Sequence, residues 1–347
     1  MRAAFYEKFN GDIKVGTLND PEPSIGGVVI EVKSNGVCRS DWHGWVGHDG
    51  AITDFPHVPG HECAGVVVAV GKNVHRWKKG DQVIVPFSCG CGICPTCKGG
   101  NEHICDDDFQ PGFTGWGAFA QYMAVEYADV NLVALPEQIN HTVAASLGCR
   151  FMTAFRGVVN RGGVAPGQWV AVHGCGGVGQ SALMIARAFG ARVIAIDVND
   201  DTLAQARALG AEHIINASKG DDVIEAIMSL TNGGAEVSLD ALGSPITAYN
   251  SIACLAKRGR HVQIGLAAGD HKDMNIPMNL VIGRELDIYG SHGMQGHKYG
   301  QMLEMIIKGE LEPEKLIDRT VDLKEGADVL MAMSTTSPSG VVVIDRF

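Results

Sequence analysis

The chain has 347 residues, 46% apolar and 19% charged, which is material for two domains of ordinary size with cores of their own. Its formal net charge of -11 excludes a broad electrostatic affinity for nucleic acid or an anionic membrane. It opens on no apolar leader and has no run near the roughly 20 apolar residues of a membrane span, so a cytoplasmic location is expected and the ten cysteines read as thiols or metal ligands rather than disulfides.

Residues 1 to about 150 are rich in Gly and in short β-branched runs, a pattern that predicts a mostly β domain. Strands are predicted from Val28, over Val66 to Val70, and over Val83 to Val85, where Pro86 ends the run. Between the first two lie the runs Gly36-Val37-Cys38-Arg39-Ser40-Asp41-Trp42-His43 and Gly60-His61-Glu62-Cys63. A third run, Gly148-Cys149-Arg150, closes the region. One ligand from each, Cys38, His61 and Cys149, makes a Cys2His set that leaves one position of a zinc ion open. By itself that convergence competes with a turn histidine and two packed thiols. Glu62 is a candidate fourth ligand, and Asp41 a candidate carboxylate partner for the imidazole of His61. Ser40 and His43 have the chemistry to pass on a proton, against the plainer reading that His43 packs on a helix surface.

Cys91, Cys94, Cys97 and Cys105 stand in C-x2-C-x2-C-x7-C spacing, with Gly90, Gly92, Gly99 and Gly100 to turn the chain. Four thiolates satisfy zinc and leave no open position, so such a site braces a lobe and activates nothing. An iron–sulfur cluster is the rival; the lack of a second cysteine group and of a Pro after Cys105 counts against it. Cys89 is a spare thiol beside the set. The aromatic and Gly-rich stretch 109–119, with Trp116, is a candidate cover for an apolar substrate, and Trp42, Trp45 and Leu266 are further candidate lining residues, all competing with ordinary packing.

From about 166 the rhythm becomes alternating strand and helix. Pro166-Gly167-Gln168 reads as a turn, Trp169 to Val172 as a strand, Ser181 to Phe189 as a helix stopped by Gly190, and Val193 to Ile196 as a strand ending in Asp197. Thr202 to Leu209 and Val223 to Leu230 continue the helices. Ile214-Ile215, Val237 to Leu239, Val262 to Ile264 and Leu286 to Tyr289 continue the strands. This alternation predicts a parallel sheet covered on both faces. Gly174, Gly176 and Gly179 form G-x-G-x-x-G between the first strand and its helix, with Gly177 and Val178 inside the motif. In that context the pattern predicts a dinucleotide site, its pyrophosphate against the helix N-terminus. Asp197 is placed to accept from the ribose hydroxyls. Because Val198-Asn199-Asp200-Asp201 holds no cation for a 2′-phosphate, NAD is expected over NADP. A helix over Tyr299 to Ile307 leads to a short tail, and Val341 to Ile344 reads as a buried strand returning to the first region.

These motifs together make the chain resemble the zinc-dependent medium-chain alcohol dehydrogenases over essentially its whole length. The resemblance rests on GVCRSDWH at 36–43, GHE at 60–62, the CGICPTC…C lobe at 91–105, GCGGVG at 174–179, and Asp197. It implies an α/β protein: a GroES-like β-barrel catalytic domain with a structural zinc lobe over residues 1–152, a Rossmann doubly wound parallel-sheet NAD domain over 153–295, and a return to the catalytic domain over 296–347. It implies two zinc ions per subunit, one on Cys38, His61 and Cys149 with Glu62 as a transient ligand, the other on the four lobe cysteines. It places Ser40 and His43 in a proton relay through the cofactor ribose, Arg39 on the pyrophosphate, and Leu266 beside the cofactor. The implied reaction is reversible oxidation of primary alcohols, aromatic or medium-chain, to aldehydes by NAD, with a secondary-alcohol, polyol or threonine dehydrogenase as the alternative. A homotetramer is implied, with a dimer next. Polyol- and threonine-oxidising members often carry a carboxylate where Cys149 stands, which tilts this site toward simple alcohols. The stretch Arg150 to Phe155 lacks the glycines often found there, and Ala154 and Phe155 narrow the space by the nicotinamide.

Overall fold

The computed structural model describes residues 1–220, 222–268, 271–336 and 338–347. The chain forms two compact units. The first comprises Met1–Met152, Gly293–Lys308 and Pro313–Phe347; the second comprises Thr153–His292 and Gly309–Glu312.

In the first unit the strands are β1 (Arg2–Phe5), β2 (Lys14–Thr17), β3 (Val28–Val37), β4 (Glu62–Val70), β5 (Gln82–Val85), β6 (Tyr122–Val125) and β7 (Val133–Ala134). In the second they are β8 (Trp169–His173), β9 (Arg192–Asp197), β10 (His213–Asn216), β11 (Ala235–Asp240), β12 (Leu255–Gln263) and β13 (Asp287–Gly290). The chain then returns to the first unit with β14 (Ile317–Asp322) and β15 (Val341–Arg346).

Among the described residues, the main sheet of the first unit runs β14-β15-β3-β4-β5-β7, with β6 also on β3 and β1 paired to β2. The ten-residue β3 is its spine, and its Val28, Ile30 and Val32 sink into a core with Val67, Val83, Val85 and Met123. The last strand, β15, pairs antiparallel with β3 through Val342 opposite Val37. The sheet register decides where chemistry is placed. Gly36 lies opposite Glu62, and Cys63 opposite Val85. Cys38, just past the end of β3, and His61, just before the start of β4, are therefore neighbours. Phe87, past the end of β5, donates its N–H to the Gly148 carbonyl at 3.0 Å, which hangs the Cys149 turn on the same edge.

The second unit is a parallel sheet in the order β10-β9-β8-β11-β12-β13. Numbered from β8 that order is 3-2-1-4-5-6, the doubly wound arrangement with its switch point beside the first strand. All five residues of β8 are buried, as a strand covered on both faces requires. Three of the covering helices start on side-chain caps: Asn199 before Asp200–Ala208, Asp222 before Val223–Thr231, and Ser244 before Pro245–Ala253.

Two expectations need correction. The helix after β8 spans Gly177–Ala188 and starts four residues before Ser181, inside the glycine motif, where low helix propensity hides it. The segment after Ile307 is more than a short tail, since it carries β14 and the helix Leu323–Ala332, started by a capping box between Asp322 and Glu325. Among the described residues no helix is long and apolar enough to cross a membrane.

Candidate active site

Cys38 occupies the N-cap of the helix Arg39–Trp45 in extended conformation. The helix starts there because Asp41, three residues on, accepts the Cys38 N–H at 3.0 Å. The other oxygen of the same carboxylate accepts from the Gly60 N–H at 3.0 Å and from His61 Nδ1 at 2.7 Å. One buried carboxylate thus ties the Cys38 turn to the His61 turn and fixes the imidazole with Nδ1 as donor. The other ring nitrogen, His61 Nε2, is buried without a hydrogen-bond partner among the described residues. It shares its surroundings with the sulfurs of Cys38 and Cys149 and a carboxylate oxygen of Glu62, these four candidate ligand atoms all lying within 4.8 Å of one another. A buried lone nitrogen facing two thiols is costly unless something electropositive takes its lone pair. The donor set and the orphaned nitrogen both fit a zinc ion.

With no ion between them, the same groups bias one another's charge. A hydrogen bond from the Cys149 thiol holds Cys38 well below the ordinary thiol range; burial opposes this, and the charges of His61 and Arg150 assist it. Burial works against a charged His61, yet Asp41 and Cys38 raise its pKa well above the usual value. The Cys149 turn is braced by Tyr299, whose hydroxyl donates to the Leu147 carbonyl at 3.1 Å.

Glu62 is wholly buried and faces Arg150. Its Oε1 accepts from the Arg150 backbone N–H at 3.2 Å and from Nε at 2.7 Å, and its Oε2 accepts from Nη2. Burial pushes this carboxyl up to about 7, with Arg150 pulling the other way; the two-pronged contact is the geometry of an ionised pair. Spacing rules miss Arg150 because its partner is 88 residues away. They also miss Phe87 and Phe113, whose rings pack on His61 at 6.3 and 5.4 Å between centroids.

Ser40 lies on the first turn of the helix Arg39–Trp45 and His43 on its last. His43 Nδ1 is 3.0 Å from His48 Nδ1, and both rings meet Trp42 edge-on. The Arg39 guanidinium donates to the Met333 carbonyl at 2.5 Å and lies over Trp42 at 4.9 Å. Trp45 is a core residue, its indole N–H donating to Gly11 O at 2.7 Å. Trp116 packs beside the same core and donates to Pro56 O at 2.9 Å.

In the cysteine lobe the sulfurs of Cys91 and Cys97 are 4.0 Å apart, those of Cys94 and Cys105 3.7 Å, and those of Cys91 and Cys105 3.6 Å. All ten cysteines of the chain are unpaired by disulfides. Four thiolates about 2.3 Å from one ion stand about 3.8 Å apart at the corners of a tetrahedron, which these separations match. Pro95 opens a short helix on Cys94, and Cys97 N–H donates to the Cys94 sulfur at 3.4 Å. Asn131 staples the lobe by two 2.9 Å bonds to the Gly90 backbone. Cys89 stays outside, buried, with its thiol on Pro86 O and its pKa raised by desolvation.

In the second unit β8 leads into Gly174 at φ +84. A Cβ on Gly179 would come within 1.9 Å of the Gly174 carbonyl oxygen, so only glycine lets this helix pack so close to the strand. Gly176 is the N-cap, a Cβ there would meet nothing within 4 Å, and Gly177 and Val178 form the first turn. Their free N–H groups suit a pyrophosphate. Asp197 ends β9; its Oδ2 accepts the Cys175 N–H at 2.7 Å, which joins the acid to the glycine turn. Tertiary folding brings Lys219 to this end of β9, where Asp200 neutralises it at 2.8 Å. Another unforeseen residue is Asp240, fully buried at the end of β11, which accepts the Leu242 and Gly243 N–H groups at 2.9 Å each and so shapes the loop against Gly174. Leu266 is half exposed in the loop after β12.

Two family models match the chain: the alcohol dehydrogenase GroES-like domain at residues 24–137 and the zinc-binding dehydrogenase domain at residues 177–308. An alcohol dehydrogenase of Geobacillus stearothermophilus is 30% identical over 349 residues, covering 99% of each chain. A sorbitol dehydrogenase of Bacillus subtilis (strain 168) is 31% identical over 326 residues, covering 92% of this chain and 90% of the other. The crystal structure of an NAD-dependent alcohol dehydrogenase is similar with a TM-score of 0.88 and 29% identity, covering 100% of each chain.

Proposed function

Since the chain belongs to the zinc-dependent medium-chain alcohol dehydrogenase family, we propose that it reversibly oxidises primary alcohols, aromatic or medium-chain, to aldehydes with NAD as hydride acceptor. The observation that carries this reading is the buried, partnerless Nε2 of His61 grouped with Cys38 and Cys149. Zinc held by those three residues supplies a Lewis acid for the substrate oxygen, and NAD supplies the hydride acceptor. Asp41 keeps the His61 ring in one tautomer and one orientation. Phe87 and Phe113 give the site an apolar wall that excludes water and favours an aromatic or aliphatic substrate tail. Ser40 receives the hydroxyl proton, and His43 carries it outward. Gly174 to Gly179 take the pyrophosphate on backbone N–H groups with Arg39 as a further anchor, Leu266 contacts the cofactor, and Asp197 accepts from the adenosine ribose. Asp197 and its acidic neighbours disfavour a 2′-phosphate, which supports NAD over NADP. The four lobe cysteines hold a second zinc that braces the chain and takes no part in the reaction.

The second reading, a secondary-alcohol, polyol or threonine dehydrogenase, draws on the likeness to a sorbitol dehydrogenase. Against it stands Cys149 in place of a carboxylate. Turnover of benzyl alcohol, hexanol, sorbitol and threonine, each with NAD and with NADP, separates the two readings. Full turnover in Cys38→Ser would sink both. A cytoplasmic homotetramer completes the proposal, and light scattering on the eluting enzyme distinguishes it from a dimer.

A further inference from the structure

Glu62 has two claims on its carboxylate. One of its oxygens lies within 4.8 Å of the ligand atoms of Cys38, His61 and Cys149, close enough to join them. Yet both oxygens are occupied by Arg150, through Nε, Nη2 and the backbone N–H. The pair is built in: the Glu62 side chain is 0% exposed and that of Arg150 10%. The strand opposite makes room for it, since a Cβ on Gly36 would fall 2.1 Å from Glu62 Oε2 and 2.9 Å from Arg150 Nη2. Arg150 also follows Cys149 directly, so the cation and the third ligand share one turn.

A three-ligand zinc site is open to substrate, and a fourth protein ligand closes it. We propose that Arg150 is a positioning residue that clamps Glu62 in a two-pronged ion pair and thereby keeps the Cys38/His61/Cys149 site open. The inference rests on the metal reading given under the proposed function. Only arginine offers two parallel N–H donors in a rigid fork that occupies both carboxylate oxygens at once. Without it, a buried carboxylate is left uncompensated, and the ion beside it becomes its remaining positive partner.

The test uses the whole enzyme with cobalt(II) exchanged into this site, read by its visible spectrum while imidazole is titrated as the exogenous ligand. Metal content is counted in parallel. Wild-type protein gives a saturable spectral change. In Arg150→Met the imidazole affinity falls at least about tenfold as Glu62 fills the open position, and in the double variant R150M/E62Q it returns. An R150M protein with two metals per chain and wild-type imidazole affinity overturns the clamp and leaves the metal reading intact. A single metal in the wild-type chain overturns the metal reading and the clamp together. Should R150M fail to fold, Glu62→Gln alone decides: affinity unchanged within about twofold supports a carboxylate already held aside, and tighter binding shows that it competes in the wild type and overturns the clamp.

Discussion

Asp41 Oδ1 lies 2.7 Å from His61 Nδ1, and both side chains are sealed from solvent at 0% and 1% exposure. The contact leaves Nε2 as the only ring atom able to meet a metal. Because the same carboxylate also holds the backbone of Cys38 and Gly60, it sets the spacing of two proposed ligands at once. Asp41→Asn keeps the shape and removes the charge. The expected result is a metal affinity about 10- to 100-fold weaker in chelator competition, with turnover falling in step. Unchanged metal retention would remove Asp41 from the account.

The lobe ion should act on stability alone. Cys97→Ser, which breaks the sulfur set, is expected to lower the metal count from two to one. It should also lower the melting temperature by about 5–10 °C in calorimetry. Substrate KM at a temperature where the variant is folded should stay near the wild-type value, and a large KM change would contradict a purely bracing role.

The His43–His48 pair gives a pH signature. Burial first, then the neighbouring charges of His48 and Arg39, hold His43 below the ordinary histidine value. In the proposed relay His43 must be neutral to accept a proton, so kcat/KM for alcohol oxidation is expected to rise with pH through that pKa. Replacing His48 by Ala removes one of the charges that lower it, so the acid limb of the profile should move to higher pH. A limb that stays in place or moves down would show that His43 does not govern it.

His173 ends β8 just before the glycine turn, and burial lowers its pKa to about 3. Between that value and the unfolded value near 6.5, the unfolded chain binds a proton that the folded one refuses. Stability is therefore fully present above about 6.5 and declines as pH falls, by about 1.4 kcal/mol per unit for this group. Between pH 7 and pH 5, urea unfolding should show a loss of stability smaller by about 2 kcal/mol in His173→Gln than in wild type. Equal losses would mean that the ring is protonated in the folded state or accessible to water.

Asp197→Ser removes the carboxylate from the end of β9 while Lys219 stays at hand. The expected outcome is an NAD KM raised about tenfold and a measurable rate with NADP. Retained NAD selectivity would place the discrimination elsewhere.

Local patterns carried the features that depend on short stretches of backbone. The four lobe cysteines span 15 residues, so their spacing alone predicts one ion, and the folded sulfurs converge within 4.8 Å. The strand, glycine turn, helix and acid of the second unit likewise lie within one stretch from Trp169 to Asp197. What stayed hidden was placed by pairing across the chain. The Glu62–Arg150 ion pair depends on β3, β4 and the turn at residues 148–150, held by Phe87 after β5, meeting in one register. In sequence Trp45 is as much a packing candidate as a pocket candidate, and in space it is a core residue. The helix start at Gly177 was masked by glycines retained for close packing rather than helix propensity.

By itself the amino-acid order determined which chemical groups exist and how those within a few residues can converge, because a short backbone has few ways to turn. Tertiary structure alone decided which distant groups meet: that Asp41 aims His61, that Arg150 claims Glu62, and that Gly36 makes room for both. The reason is that sheet register sets distances across scores of residues, and a shift by a single residue turns every side chain on a strand to the opposite face.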